Sequence, residues 1–198
     1  MYQGAPPPLG PVAVANQQDK STNIWVESIQ TVGLSVVLAL GIRQFVAEAR
    51  YIPTGSMEPT LQVNDRLVVE KISYHLSDPE RGDIVVFWPP AELTPAGQPR
   101  NAFIKRVIGL PGDTVEVTNG QVLINDEPID EGYIKASPNY RWGPEVVPDD
   151  SYIVFGDNRN NSVDSHAWPR PFLPEDQIIG KAVVRFWPPG RVGLLTRD

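Results

Sequence analysis

The sequence predicts a mainly β domain, built as antiparallel sheet, behind one N-terminal transmembrane helix. Three observations predict it. A single long apolar stretch lies near the N-terminus. After it, short β-branched and aromatic runs alternate with Pro, Gly, Asn and Asp. Proline is 21 of 198 residues, about twice the usual share of about 5%. Interior proline costs a helix roughly 3 kcal/mol, which argues against a helical bundle.

Residues 1–22 are expected to be a disordered cytoplasmic tail. Pro6, Pro7, Pro8 and Pro11 sit among Gly4 and Gly10, with Tyr2 as the sole aromatic. Such a stretch cannot bury enough apolar surface to offset its ordering entropy. Residues 23–48 are expected to be the anchor. The uncharged window 28–42 spans about 22 Å as helix at about 1.5 Å per residue, short of a membrane core of about 30 Å. Glu27 and Arg43 at its ends can carry their charges to the interface. Counted over 24–47, the length suffices. Two other readings stay open. Ala47-Glu48-Ala49 resembles the small-x-small site of a cleaved leader, although the positively charged start is missing. An interfacial helix is the other, but the apolar run 36–40 lacks its polar face.

Residues 49–198 are expected to form the β-rich domain. The runs 66–72, 83–88, 102–108, 152–155 and 182–187 have strand length and composition. The runs 113–118 and 121–125 flank Asn119-Gly120, which predicts a hairpin because type I′ turns need positive φ twice. Residues 89–100, with four prolines, and 136–150 read as loops.

The composition excludes several functions. Net charge is −7 and the deficit lies beyond residue 50, the opposite of a nucleic-acid footprint. Without cysteine there is no disulfide scaffold, thiol nucleophile or thiolate metal site. His75 and His166 are the only histidines, so a histidine-rich metal site is not expected.

Three segments carry candidate chemistry. In residues 51–61 (YIPTGSMEPTL), Ser56 follows Gly55 in a loop stiffened by Pro53 and Pro59. That suits a nucleophile beside free N–H groups, and equally suits an ordinary turn. In AFIKRVI, strand alternation puts Lys105 beside Phe103 and Val107, and Arg106 on the other face with Ile104 and Ile108. Burial there would lower the lysine pKa, as a general base requires; the alternative is a solvated strand face. Residues 154–169 concentrate Asp157, Asn158, Arg159, Asn160, Asn161, Ser162, Asp164, Ser165 and His166. They read as a solvated loop with Asx-turns, a hydrogen-bonded network, or part of a Ser–His–Asp triad using His166.

Together these segments make the chain resemble type I signal peptidases, membrane-bound endopeptidases that remove signal peptides from exported proteins. The resemblance rests on PTGSMEPTL at 53–61, RGDIVVF at 81–87, FIKRVIGLPGD at 103–113 and GDNRNNSVDSH at 156–166. They stand in the family's order, behind an anchor. It implies an antiparallel β catalytic domain with a nonpolar surface near the bilayer. It also implies Ser56 as nucleophile, Lys105 as general base, and the Thr54 hydroxyl with the Ser56 N–H as oxyanion donors. Ser162 would orient the lysine; Asp157, Arg159, Asp164 and Arg106 would support the site. The substrate would be an extended segment with small residues first and third before the cut, in pockets formed by Ile52, Met57, Leu61, Phe103 and Ile104. Core packing is the other reading of those five. The mechanism implied needs no metal or cofactor, and the partners implied are signal peptides and the lipid bilayer. The domain would face the extracytoplasmic side, or the lumen of a thylakoid-type membrane. Two positions depart from the family: His166 stands where arginine is frequent, and Asn160 where aspartate is frequent. That leaves Arg106 as the expected cation for Asp164. Rival readings are a self-cleaving repressor, which would need a DNA-binding domain, and an inactive anchored module that binds export clients.

Overall fold

The computed structural model describes residues 1, 4, 20–94, 97 and 100–197. The stretch read as a disordered tail lies mostly outside them. The chain divides into two units, Met1–Gly41 and Ile42–Asp198.

Helix α1 runs Lys20–Phe45. Its segment Asn23–Phe45 is long and apolar enough to cross a membrane. Trp25, Val32 and Leu38 on it are exposed. The helix stops before the expected 48. Ala47–Tyr51 is strand β1 instead, paired antiparallel with β2, Arg66–Glu70.

The second unit is built on two antiparallel sheets. The large one adds β3 (Ile84–Phe87), β4 (Phe103–Gly109), β9 (Ser151–Phe155), β10 (Leu173–Pro174), β11 (Ile178–Trp187) and β12 (Gly193–Leu194). Its order is β1-β2-β11-β3-β4-β9-β10, with β12 on β11. The small one is β7-β6-β5-β8, from β5 (Thr114–Thr118), β6 (Gln121–Ile124), β7 (Glu127–Pro128) and β8 (Trp142–Val146). The expected hairpin joins β5 to β6, with φ of 52° at Asn119 and 77° at Gly120. Strand β8 replaces part of the loop expected at 136–150. Pro144 has no N–H to offer a ladder, and β8 is an outer strand, where that is tolerated.

The strands of the large sheet are buried on both faces where they support the site. In β3, Ile84 and Val86 pack with Ile52, Met57, Leu61, Leu67 and Val69, while Val85 and Phe87 pack with Val107, Tyr152 and Val154. A third cluster joins Ile108, Ile153 and Phe155 to Val115, Val117 and Val122 of the small sheet. Strand β4 therefore runs through the middle of the domain, and its side chains meet very different surroundings on successive residues.

Candidate active site

Two segments converge on β4. The loop between β1 and β2 carries Ser56. It is pinned by hydrogen bonds Ile52 N to Asp65 O (2.9 Å) and Asn64 N to Ile52 O (2.9 Å). Met57 and Leu61, both 0% exposed, plug its far side into the core. The segment after β9 carries Gly156 to His166. Asn158 ties the two together: its N–H donates to Ser56 O at 3.0 Å and its Nδ2 to Gly55 O at 2.9 Å. Gly156 makes the close approach possible. A Cβ there would lie 2.3 Å from Ser162 Oγ and 2.4 Å from Ser56 O.

Ser56 and Lys105 meet. Lys105 Nζ lies 2.8 Å from Ser56 Oγ and donates to Ile104 O at 2.9 Å. Lys105 is 4% exposed, and among the described residues no carboxylate forms an ion pair with it. Burial brings its pKa down to about 8, while the charges of Asp164 and then Asp157 restrain the fall. The pair opens on a groove of about 470 Å³ lined by Thr54, Phe103, Ile104 and Val163 among others. Thr54 is exposed on that lining.

The supporting residues form a different kind of assembly. Arg106, 0% exposed, holds Asp157 through Nε (2.9 Å) and Nη2 (2.8 Å). Asp157 also accepts from Thr60 Oγ1 at 2.5 Å. Arg159 grips Glu131 at 2.8 and 2.6 Å. Burial disfavours the Arg159 charge, but the hydrogen bonds and charge of Glu131 outweigh it and hold the pKa above its ordinary value. Asp164 accepts from Gly156 N at 2.8 Å and lies 2.6 Å from His166 Nδ1. His166 stacks on Tyr140, ring centroids 4.1 Å apart.

Several expectations need correction. Arg106 does not serve Asp164: it pairs with Asp157, and His166 occupies Asp164. Ser162 Oγ makes no hydrogen bond to Lys105; it is buried with no hydrogen-bond partner among the described residues. Ile52, Met57 and Leu61 do not line the groove. They lie in the core at 3%, 0% and 0% exposure, packed with Leu67, Val69, Ile84 and Val86 of the sheet. Phe103 and Ile104 do line it. Asn158 sat in the polar segment without a role, and Glu131 and Tyr133 were not singled out. Their partners lie far away in sequence, and no local pattern marks them. No group of three or more His, Asp or Glu placed to hold a metal occurs among the described residues.

A buried lysine against a loop serine, on an antiparallel sheet domain with an apolar helix before it, defines a candidate serine hydrolase of the Ser–Lys type. The family model for signal peptidase, peptidase S26, matches residues 25–187. The chain is 60% identical to "Signal peptidase I" of Leptolyngbya laminosa over 96% of this chain and 93% of that one. It is 60% identical to "Probable signal peptidase I-2" of Synechocystis sp., over 89% of this chain and 79% of that one. It is 41% identical to "Probable thylakoidal processing peptidase 2, chloroplastic" of Arabidopsis thaliana, over 88% of this chain and 47% of that longer protein. The chain belongs to the signal peptidase S26 family.

Proposed function

We propose that this chain is a membrane-anchored endopeptidase that removes N-terminal signal peptides from exported pre-proteins, with Ser56 as nucleophile and Lys105 as general base. The observation that carries the reading is the 2.8 Å approach of the buried Lys105 amine to Ser56 Oγ. A neutral amine has two N–H groups and one lone pair. Ile104 O takes one N–H, which leaves the lone pair for the Ser56 hydroxyl proton.

The reaction is acyl transfer. Lys105 accepts the proton as Ser56 Oγ attacks the scissile carbonyl carbon. The negative oxygen that forms is met by the Ser56 N–H and the Thr54 hydroxyl at the groove wall. The Lys105 ammonium then protonates the leaving amine and the C–N bond breaks. Water, deprotonated by the same lysine, hydrolyses the acyl-enzyme and regenerates Ser56. Asp157, Arg159, Asp164 and Arg106 keep the two segments in register. The groove wall of Phe103, Ile104 and Val163 receives the small side chains before the cut. Helix α1 spans the bilayer within Asn23–Phe45, behind a cytoplasmic tail at 1–22. The catalytic domain, 49–198, works on the extracytoplasmic or lumenal side.

The test is cleavage of a signal-peptide substrate containing Ala-x-Ala by purified full-length protein in detergent, beside Ser56→Ala. Cutting after the second alanine by wild type alone is expected. Equal cutting by Ser56→Ala, or none by wild type, contradicts the reading.

A further inference from the structure

The Arg81-Gly82-Asp83 turn, conspicuous in the sequence, has no part in the reaction just described. It holds the other end of the chain. Gly82 has φ +90°, and a Cβ there would lie 2.8 Å from Arg197 Cβ and 3.1 Å from Arg197 O. The missing side chain leaves the room that the C-terminal segment fills. Asp83 Oδ1 accepts from Arg197 Nε at 2.7 Å, and Glu80 pairs with Arg197 Nη1. Asp83 also pairs with Lys181 at 2.7 Å and accepts from Tyr74 OH at 3.1 Å. It is thus a fixed, 2% exposed anchor rather than a mobile surface charge.

The docked segment reaches inward to Arg106. Arg106 Nη1 donates to Gly82 O (2.9 Å), Arg197 O (3.0 Å) and Thr196 O (3.2 Å). The Tyr133 ring covers its guanidinium at 3.9 Å. Two of the three carbonyls that satisfy this nitrogen therefore come from the C-terminal segment. These carbonyls are fixed acceptors, so losing them leaves that edge of the guanidinium to mobile water and releases its position. The other edge of the same guanidinium holds Asp157. The next residue, Asn158, holds the Ser56 loop.

We propose that Thr196 and Arg197 are positioning residues for the Ser56–Lys105 pair, with the Arg81-Gly82-Asp83 turn as their receptor. The docked segment fixes Arg106, Arg106 fixes Asp157, and the backbone from Asp157 to Asn158 fixes Ser56 against the amine. Neither residue touches the reacting atoms. The inference rests on the Ser–Lys reading but not on the choice of substrate. Asp157 also helps to hold up the Lys105 pKa, so its displacement changes the titration of Lys105 as well as the geometry.

The experiment compares full-length protein with Arg197→Glu, which sets like charges against Asp83 and Glu80, and with Arg197→Lys. A third variant ends after Leu195, which keeps the pairing of β12 with β11. Two rates are measured across pH: signal-peptide cleavage, and acylation of Ser56 by a small activated ester. Misplaced reacting atoms predict a loss of about 10- to 100-fold in kcat for Arg197→Glu and the truncation, with little change in KM. The same loss is expected in ester acylation, with a moved midpoint on the rising limb of the pH profile. Arg197→Lys restores most of both rates. If Arg197→Glu and the truncation melt at a lower temperature but keep wild-type kcat and midpoint, the segment is structural only and the proposal fails. It fails equally if neither variant folds, because the segment is then a determinant of the fold. Ester acylation without signal-peptide cleavage in wild type overturns the substrate reading instead, and the ester arm still decides this one.

Discussion

Lys105 and Arg106 are consecutive residues of one strand, and both are almost sealed from water at 4% and 0% exposure. Their surroundings are opposite. On the Lys105 face the amine has a serine, a carbonyl and the Phe103 ring at 5.7 Å. On the Arg106 face the guanidinium has a bidentate carboxylate, three carbonyls and a tyrosine ring. Burial without a counter-ion destabilises charge, so the lysine becomes a base near neutral pH. Burial with all three nitrogens hydrogen-bonded holds the arginine rigid. Strand alternation thus places a reactive cation and a scaffolding cation back to back, and only their partners decide which is which.

Exchanging the two chemistries is expected to have the largest effect. Lys105→Arg puts a group that cannot release its proton against Ser56. We expect kcat to fall by on the order of 10⁴–10⁶ with the fold intact, as when one member of a concerted catalytic pair is lost. Circular dichroism beside a cleavage assay checks it.

The reciprocal break strikes stability. Arg106→Leu leaves Asp157 as an unpaired buried charge and should cost about 3–5 kcal/mol. Adding Asp157→Leu should recover part of that loss, read from denaturant midpoints. Full additivity of the two losses would contradict the pairing.

Thr54→Val sharpens the comparison within the groove. It keeps the β-branched shape and removes the donor. The expected loss is about 10²–10³ in kcat with KM little changed, while Thr54→Ser stays active. Near wild-type kcat for Thr54→Val would leave the oxyanion to backbone N–H groups.

Asn158→Ala is the mildest break. The backbone bond to Ser56 O remains and only the side-chain bond to Gly55 O is lost. A net loss of about 0.5–1.5 kcal/mol, up to roughly tenfold in kcat, is expected.

The parts legible in the sequence were those with local signatures. Asn119-Gly120 announced its hairpin, and β-branched runs announced β2, β3 and β4. The two-residue strands β7, β10 and β12 were missed, and so were β1, β8 and the first half of β11. β1 (AEARY) has little β-branched content, β8 (WGPEV) carries Gly-Pro, and the first half of β11 includes Gly180 and Lys181. Each is a strand because a neighbour supplies its ladder. Ser56 and Lys105 were visible as candidates, but nothing within either segment sets them 2.8 Å apart. The Arg106–Asp157 and Arg159–Glu131 pairs join positions 51 and 28 residues apart, beyond any periodicity. Ile52, Met57 and Leu61 were equally apolar as pocket or core, and only the direction of the loop decided.

The central claim is that Lys105 in its neutral form activates Ser56. The pH dependence of kcat/KM for wild type and His166→Ala tests it most directly. Protonated lysine cannot accept the serine proton, so activity must rise with pH and level off once the amine is free. With the pKa at about 8, the rise should be about tenfold per pH unit below that value and flat above it, as for a single essential base. The account predicts the same midpoint in both proteins, because His166 lies against Asp164 and Tyr140 rather than Ser56. A midpoint near the ordinary histidine value of about 6.5, lost in His166→Ala, would contradict it.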